Sequence, residues 1–354
     1  MASPRTPLQR RIRLRHGKSR AIGRGIGAAS ALLGLLAASA PGAVASSGTA
    51  GLGPAVSGAR AADGAYIAGV AQLGPRIVDL GIRSPAMGAT MPVRVITPAG
   101  WSPHSGRTYP TVYLLQGASD NYTSWTRETD IEQLAATTDA LVVTPDGGRA
   151  GFYTNWWNDG RAGGPQWETF HTEELPQLMS DAFGAGDRRA VIGLSEGGLG
   201  ALDYAARHPG EYVFAGSFSG VVDLDDPGLR AGITLTCLRE GVNPLLLWGD
   251  PKKNRDNWEA HNPAQLLNRF RGVQVYLSAA TGMPGPLDVD SPPEAGLLEA
   301  PTYVPTQKFA QALRAAGVDV TVDLHLSGTH TWPNWQRELH LAWPSVLSAL
   351  RGRS

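Results

Sequence analysis

Short apolar runs alternate with amphipathic segments along most of the chain. Arg76–Arg83 and Met91–Thr97 alternate apolar and polar residues, which predicts an opening antiparallel pair of strands. Thr111–Leu115 and Ala140–Thr144 are apolar runs bounded by proline and glycine, as is typical of parallel strands buried on both faces. Further strands are predicted at Arg189–Ile192, Val213–Phe218, Val273–Ala279 and Val318–Leu326, and helices at Asp130–Thr137, Glu168–Phe183, Gly198–His208, Tyr303–Ala316 and Trp335–Leu350. The alternation predicts one three-layer α/β domain with helices on both faces of a mostly parallel sheet.

The first 45 residues break this pattern and predict a secretory signal peptide. They hold eight basic residues and no acidic one. An uncharged stretch, residues 25–40, follows the basic region, and Ala43-Val44-Ala45 then offers a cleavage site. A membrane anchor is the alternative, but the apolar run is short and rich in Ala and Gly. We therefore expect cleavage near Ala45, a flexible leader over 46–65, a folded domain over 66–354, and a secreted protein of the extracellular space or cell envelope.

Charge and cysteine content narrow the function classes. The whole chain has 31 basic and 31 acidic residues, but without residues 1–45 the balance is 23 basic to 31 acidic. A mildly acidic body argues against nucleic acid as a partner. Cys237 is the only cysteine, so an intramolecular disulfide is excluded. With 42% hydrophobic residues, the domain has enough apolar material for a core of its own.

The candidate chemistry centres on Gly193-Leu194-Ser195-Glu196-Gly197. This G-x-S-x-G motif lies between a predicted strand and a predicted helix, the context in which it forms a nucleophile elbow. The alternative is a plain glycine-rich turn. A serine hydroxyl needs a base to remove its proton and an acid to orient that base. Ser195 is therefore the predicted nucleophile.

His330 is the predicted base, because it lies in the loop between the last strand and the last helix. The histidines at 208, 261, 325 and 340 have structural interpretations within helices, a turn or a strand. The acid stays open on sequence grounds, since Asp288, Asp290, Glu294 and Glu299 all precede the predicted helix at Tyr303.

Two backbone N–H groups are predicted to form an oxyanion hole. One belongs to Glu196, the residue after the nucleophile, and the other to Ala118, in the loop that follows the strand ending at Leu115. A simple strand-ending turn is the alternative for that loop.

Several ordered pieces, spanning Arg76 to the C-terminus, resemble the esterase family that includes the mycobacterial antigen 85 mycolyltransferases and, more distantly, the S-formylglutathione hydrolases. The pieces are Tyr113 to Gly117, Phe152 to Trp157, Glu173 to Pro176, Gly193 to Ser195, His208-Pro209, Phe214 to Gly220, Lys308-Phe309 and Gly328 to Trp332. The resemblance implies an α/β-hydrolase fold and selects Glu299 as the acid, because a catalytic glutamate precedes the helix with the Lys-Phe pair. Asp290 and Asp288 remain in reserve.

The chain also departs from that family at four positions, one of which is Gly197 in place of an Ala. Gln116 and Ser119 stand where the mycolyltransferases have an Asp and an Arg that help to hold trehalose, and Glu196 replaces an apolar residue. Gln116 still offers hydrogen bonds to a hydroxyl. Trp125 and Trp332 are candidates for an apolar substrate wall, with core packing as the alternative. These differences put trehalose transfer in doubt but leave ester chemistry intact.

The expected function is that of an exported serine esterase or acyltransferase that forms an acyl-enzyme on Ser195. Its expected partners are a small-molecule or lipid acyl ester and an optional sugar or glycerol acceptor, with association to the cell envelope. No cofactor or metal is expected. The alternatives are a mycolyltransferase or diacylglycerol acyltransferase proper, a peptidase, and a non-catalytic cell-wall-binding protein, since some relatives have lost their triad.

Overall fold

The computed structural model describes residue 52, residues 56–103 and residues 105–352. The predicted signal peptide, residues 1–45, lies outside the described residues. Within them, no helix is both long enough and apolar enough to cross a membrane.

Nine strands of the described chain form one sheet in the order β1-β2-β3-β5-β4-β6-β7-β8-β9. The first three are antiparallel, and β4 to β9 run parallel. The bounds are β1 Tyr66–Gln72, β2 Ile77–Ser84, β3 Ala89–Ile96, β4 Tyr109–Leu115, β5 Leu141–Pro145, β6 Ala185–Leu194, β7 Phe214–Phe218, β8 Gln274–Ala280 and β9 Asp319–His325. The predicted antiparallel pair and the predicted parallel strands are confirmed.

Helices cover both faces of this sheet. They are α1 Ser124–Glu128, α2 Ile131–Ala136, α3 Trp167–Thr169, α4 Leu175–Phe183, α5 Glu196–Arg207, α6 Pro227–Arg239, α7 Leu245–Trp248, α8 Arg255–Ala260, α9 Pro293–Ala315 and α10 Trp332–Arg351. A π-helical turn, Phe170–Glu174, joins α3 to α4.

Each face of the sheet has its own core because side chains alternate along the strands. On β4, Tyr113 and Leu115 pack with Leu202 of α5 and Phe309 of α9. Val112 and Leu114, by contrast, pack on the opposite face with helices α2 and α10. This is the three-layer arrangement that the alternating pattern predicted.

Two predicted boundaries differ from the structure. The helix expected from Tyr303 begins at Pro293 and includes Pro301 and Pro305. The leader was expected to be flexible to residue 65, but Val56 is fully buried in the domain core and the Arg60 N–H hydrogen-bonds Asp181. Residues 56–65 therefore belong to the folded domain.

Candidate active site

Ser195 lies on a sharp turn between β6 and α5, where the backbone adopts φ 54° and ψ −119°. Its N–H donates to the Phe218 carbonyl at 2.8 Å, which ties the turn to β7. The flanking glycines are required by close approach. A Cβ at Gly193 would lie 1.9 Å from the Gly197 carbonyl oxygen, and one at Gly197 would lie 2.4 Å from that of Gln116. Ser195 therefore lies on a tight strand–turn–helix corner at the carboxyl end of the sheet.

His330 and Glu299 complete a continuous hydrogen-bonded chain to this serine. His330 Nε2 lies 2.8 Å from Ser195 Oγ. On the other side of the ring, Nδ1 lies 2.7 Å from Glu299 Oε2. The loop after β9 delivers His330, and its backbone N–H donates to the Ala295 carbonyl at 3.1 Å. This is the geometry that a nucleophile, a base and an orienting acid require.

The Glu299 carboxylate is held by more than the histidine. The side chain is 1% exposed, and its Oε1 accepts from the Ala280 N–H at 2.7 Å and from Ser219 Oγ at 2.9 Å. Thr302 Oγ1, one turn along α9, lies 3.3 Å from the same oxygen. These donors fix the rotamer and compensate the burial of a charge. The sequence pattern did not single out Ser219 and Thr302, although Ser219 lies in the family-like piece from Phe214 to Gly220.

The other acidic candidates do not reach the histidine ring. Asp290 and Glu294 are exposed. Asp288 is buried, but its Oδ1 accepts from Asn334 Nδ2 at 2.7 Å and from Thr329 Oγ1, while Oδ2 accepts from the Gly285 N–H at 2.7 Å. Asp288 thus anchors the loop that carries His330 instead of bonding the imidazole.

Two cavities open beside Ser195 and His330. The larger, about 530 Å³, runs between α6 and the first half of α9 and is mainly apolar, with Leu229, Ile233 and Pro301 in its wall. The other, about 510 Å³, has Ser119, Asp120, Glu128 and Arg239 in its wall beside apolar side chains. We call the larger one the apolar cavity and this one the polar cavity. Volumes of this size suit small organic ligands. The helix α6 was not predicted, and its contribution to both cavities was therefore missed.

Both predicted oxyanion residues lie on the wall of the apolar cavity with Ser195. Gln116 does not. Its side chain is 1% exposed, and its Nε2 donates to the Asp120 and Gly148 carbonyls at 2.8 and 3.1 Å. Gln116 therefore lines neither cavity beside Ser195. Its amide instead ties two half-buried loops together by hydrogen bonds to their carbonyl groups.

The two predicted tryptophans differ in the same way. Trp332 is half-buried and lines the polar cavity. Trp125 is fully buried and packs edge-on against Trp332 and Phe218, with ring centroids 5.4 and 6.4 Å away. Trp125 therefore lies behind the wall, and the core-packing alternative holds for it.

A cluster of charged groups at the rim of the polar cavity was not foreseen. Glu240 accepts from Arg149 Nε at 2.6 Å, from Arg239 Nε at 3.1 Å and from Ser119 Oγ. Arg239 Nη2 also bonds Ser119 Oγ at 2.5 Å. Ser119, the residue that departs from the mycolyltransferases, is thus held by a charge pair contributed from α6.

A Ser-His-Glu chain at the carboxyl end of a mainly parallel sheet defines the α/β-hydrolase class. Comparison with known proteins agrees. Residues 84–345 match the Esterase family. Over 283 residues the chain is 30% identical to the diacylglycerol acyltransferase/mycolyltransferase Ag85B of Mycobacterium leprae, which covers 77% of this chain and 83% of the relative. The chain therefore belongs to the Esterase family, as its sequence predicted, and is an enzyme of ester hydrolysis or acyl transfer.

Solved structures support the fold. The crystal structure of Mycobacterium tuberculosis MPT51 superposes with a TM-score of 0.68 at 27% identity, covering 78% of this chain and 100% of that one. The S-formylglutathione hydrolase FrmB of Staphylococcus aureus superposes with a TM-score of 0.54 at 18% identity, covering 77% of this chain and 98% of that one. The second likeness is one of fold alone.

Proposed function

We propose that this protein is an exported serine esterase or acyltransferase that acts on aliphatic acyl esters through Ser195, His330 and Glu299. The observation that carries the proposal is the unbroken hydrogen-bonded chain of 2.8 and 2.7 Å from Ser195 Oγ through the imidazole to a buried carboxylate. It ends at a serine that faces two ligand-sized cavities.

The geometry supports a two-step reaction. Ser195 Oγ attacks the ester carbonyl carbon while His330 Nε2 takes the hydroxyl proton. The N–H groups of Ala118 and Glu196 hold the oxyanion of the tetrahedral intermediate. The intermediate collapses to an acyl-enzyme, and the imidazolium gives its proton to the departing alkoxide. Water or a second alcohol then repeats the sequence in reverse, with His330 again as the base.

The two cavities support separate places for the acyl chain and the alcohol. The apolar cavity between α6 and α9 suits an aliphatic chain, because burying each CH₂ group there gains about 0.8 kcal/mol. The polar cavity offers hydrogen-bonding side chains to a glycerol or sugar hydroxyl. The mycobacterial relatives are named as acyltransferases, which agrees with this division.

The test is a series of nitrophenyl esters from acetyl to palmitoyl, assayed with and without added glycerol or trehalose. We expect turnover by the wild type, loss of turnover by at least 10³-fold in S195A, and an acylated alcohol when the acceptor is present. Full activity in S195A would overturn the proposal. Hydrolysis without any transfer product would restrict the proposed activity to that of an esterase.

Export rests on the composition of residues 1–45, with their basic start, apolar stretch and Ala43-Val44-Ala45 site. Mass spectrometry of the protein recovered from the medium or envelope of a secreting host should find Ser46 as the first residue. An intact N-terminus on exported protein would contradict cleavage at this site.

A further inference from the structure

The side chain of Glu196, the residue after the nucleophile, is buried and makes no hydrogen bond to Ser195, His330 or Glu299. Its carboxyl is 3% exposed, and Oε1 accepts the Phe152 N–H at 2.7 Å. Within the described chain, Oε2 has no hydrogen-bond partner. A carboxyl in such a place needs an explanation, because burying an incompletely bonded polar group is costly.

Phe152 belongs to a segment, residues 147–153, that we call the bracing loop. Hydrogen bonds join this loop to the chain on both sides of Ala118. The Tyr153 hydroxyl donates to the Gln116 carbonyl at 2.9 Å, and Gln116 Nε2 donates to the Gly148 carbonyl at 3.1 Å. The Ser119 N–H donates to the Arg149 carbonyl at 2.9 Å. The residues on both sides of the Ala118 N–H are therefore held by this loop.

The bracing loop is itself in an unusual conformation. Phe152 and Tyr153 both have φ of 52°, a left-handed backbone that side-chain-bearing residues rarely adopt. Such a corner persists only when its surroundings determine it. The Tyr153 ring fits between two glycines, since a Cβ at Gly147 would lie 2.3 Å from its hydroxyl oxygen and one at Gly200 would lie 2.5 Å from the ring. The Glu196 carboxyl, which bonds Phe152, fixes the same corner.

We propose that the Glu196 side chain and the Tyr153 hydroxyl are positioning groups that set the Ala118 N–H for oxyanion binding. The inference rests on the proposed function, because it assigns these groups to the oxyanion hole of that reaction. Glu196 then acts twice: its backbone N–H is one oxyanion donor, and its side chain, through Phe152 and Tyr153, holds the other.

This arrangement works best with a neutral carboxyl. Burial raises the pKa of Glu196 to about 8; the charges of Glu240 and Asp146 add to this shift, and the hydrogen bond from the Phe152 N–H opposes it. The Cys237 thiol of α6 also has a raised pKa, about 12, mainly because it is buried and secondly because of the charge of Glu196. The proton is therefore present at pH 7 and lost above about pH 8, where a carboxylate would oppose the negative charge that develops on the substrate oxygen.

The experiment compares E196M, E196Q and Y153F with the wild type. E196M removes the acceptor for the Phe152 N–H, E196Q restores a neutral acceptor, and Y153F removes the donor to Gln116. Y204F is the matched control for Y153F, since it deletes another buried phenol hydroxyl, 2.9 Å from His171 Nδ1, with no bond to the oxyanion loop. Each protein is assayed on an oxygen ester and on the thionoester in which sulfur replaces the carbonyl oxygen.

Loss of a direct oxyanion donor costs about 10²–10³ in kcat, so displacement of one should cost about tenfold. We expect this loss in kcat, with KM little changed, for E196M and Y153F on the oxygen ester. The loss on the thionoester should be much smaller, because sulfur makes weak hydrogen bonds in the hole. E196Q should recover most of the loss in E196M and lack the wild-type fall in kcat/KM above about pH 8.

Equal losses on both esters, or a Y204F loss as large as that of Y153F, would overturn the inference. A fall in kcat/KM above about pH 8 that is the same in E196Q as in the wild type would also overturn the inference. This comparison can be made even if E196M does not fold. Failure of the proposed function is distinguishable, because S195A would then keep its activity. An inactive S195A with fully active E196M and Y153F would refute only the positioning role.

Discussion

Replacement of Glu299 by Gln tests the acid of the proposed triad most sharply. The substitution keeps the shape of the side chain but removes the charge that faces an imidazolium in the transition state. Glu299 Oε2 lies 2.7 Å from His330 Nδ1 in a nearly dry site, 1% exposed. With charge centres about 4 Å apart and an effective dielectric constant of about 20, the attraction is about 4 kcal/mol. This energy corresponds to a loss of about 10³ in kcat.

The assay is steady-state hydrolysis of a short nitrophenyl ester by E299Q, D288N and D290N. We expect kcat to fall about 10³-fold in E299Q with KM nearly unchanged, since the lost interaction strengthens only as His330 becomes charged. D288N should cost far less, because Asp288 touches the His330 loop and not the ring. D290N alters an exposed carboxylate of the same loop and serves as the control. A loss in D288N equal to that in E299Q would refute the assignment.

Three further changes test the surroundings of the triad. I233W, which fills part of the apolar cavity, should shift the preference of the enzyme to esters with shorter acyl chains. An unchanged dependence on acyl-chain length would mean that the acyl group binds elsewhere. W332A should lower the ratio of acyl transfer to hydrolysis with added glycerol, and an unchanged ratio would remove Trp332 from the acceptor side. The folded state keeps the Glu196 proton up to about pH 8, whereas an unfolded Glu releases it near pH 4.5. The free energy of unfolding of the wild type, measured by urea titration, should therefore fall relative to that of E196Q as pH rises across this interval, by up to about 1.4 kcal/mol per pH unit. Parallel curves of unfolding free energy against pH for the two proteins would contradict burial of the proton.

Strands β2 to β9 were predictable because their apolar runs are short and bounded by clear turn residues, whereas β1 was not predicted. The start of α9 at Pro293 was not predictable in this way. Pro301, Pro305 and Gly296 are poor helix formers, so local preference favours a loop before Tyr303. In the structure, α9 begins at Pro293 and packs against β8 and β9, and these tertiary contacts outweigh local preference. The packing of Val56 likewise depends on a surface that is distant in sequence.

The Ser195 and His330 geometry follows from motif and chain order, since both residues lie in loops that follow strands at the same edge of a parallel sheet. Glu299 required the family resemblance, because four carboxylates share one stretch of sequence. Gln116 and Trp125 were misplaced for one physical reason. A side chain beside a site in sequence can satisfy carbonyls or fill the core behind the wall, and only packing decides which. The bracing loop's contacts join segments more than thirty residues apart, so no local pattern predicts them.

The most direct test of the account is to trap and map the covalent intermediate. The protein is treated with a fluorophosphonate or a slowly released nitrophenyl ester, and intact mass and peptide mapping locate the adduct. The account predicts a single adduct on Ser195, absent in S195A and much slower to form in an H330A variant. Ester turnover with an adduct on another residue, or with equal labelling of S195A, would contradict it.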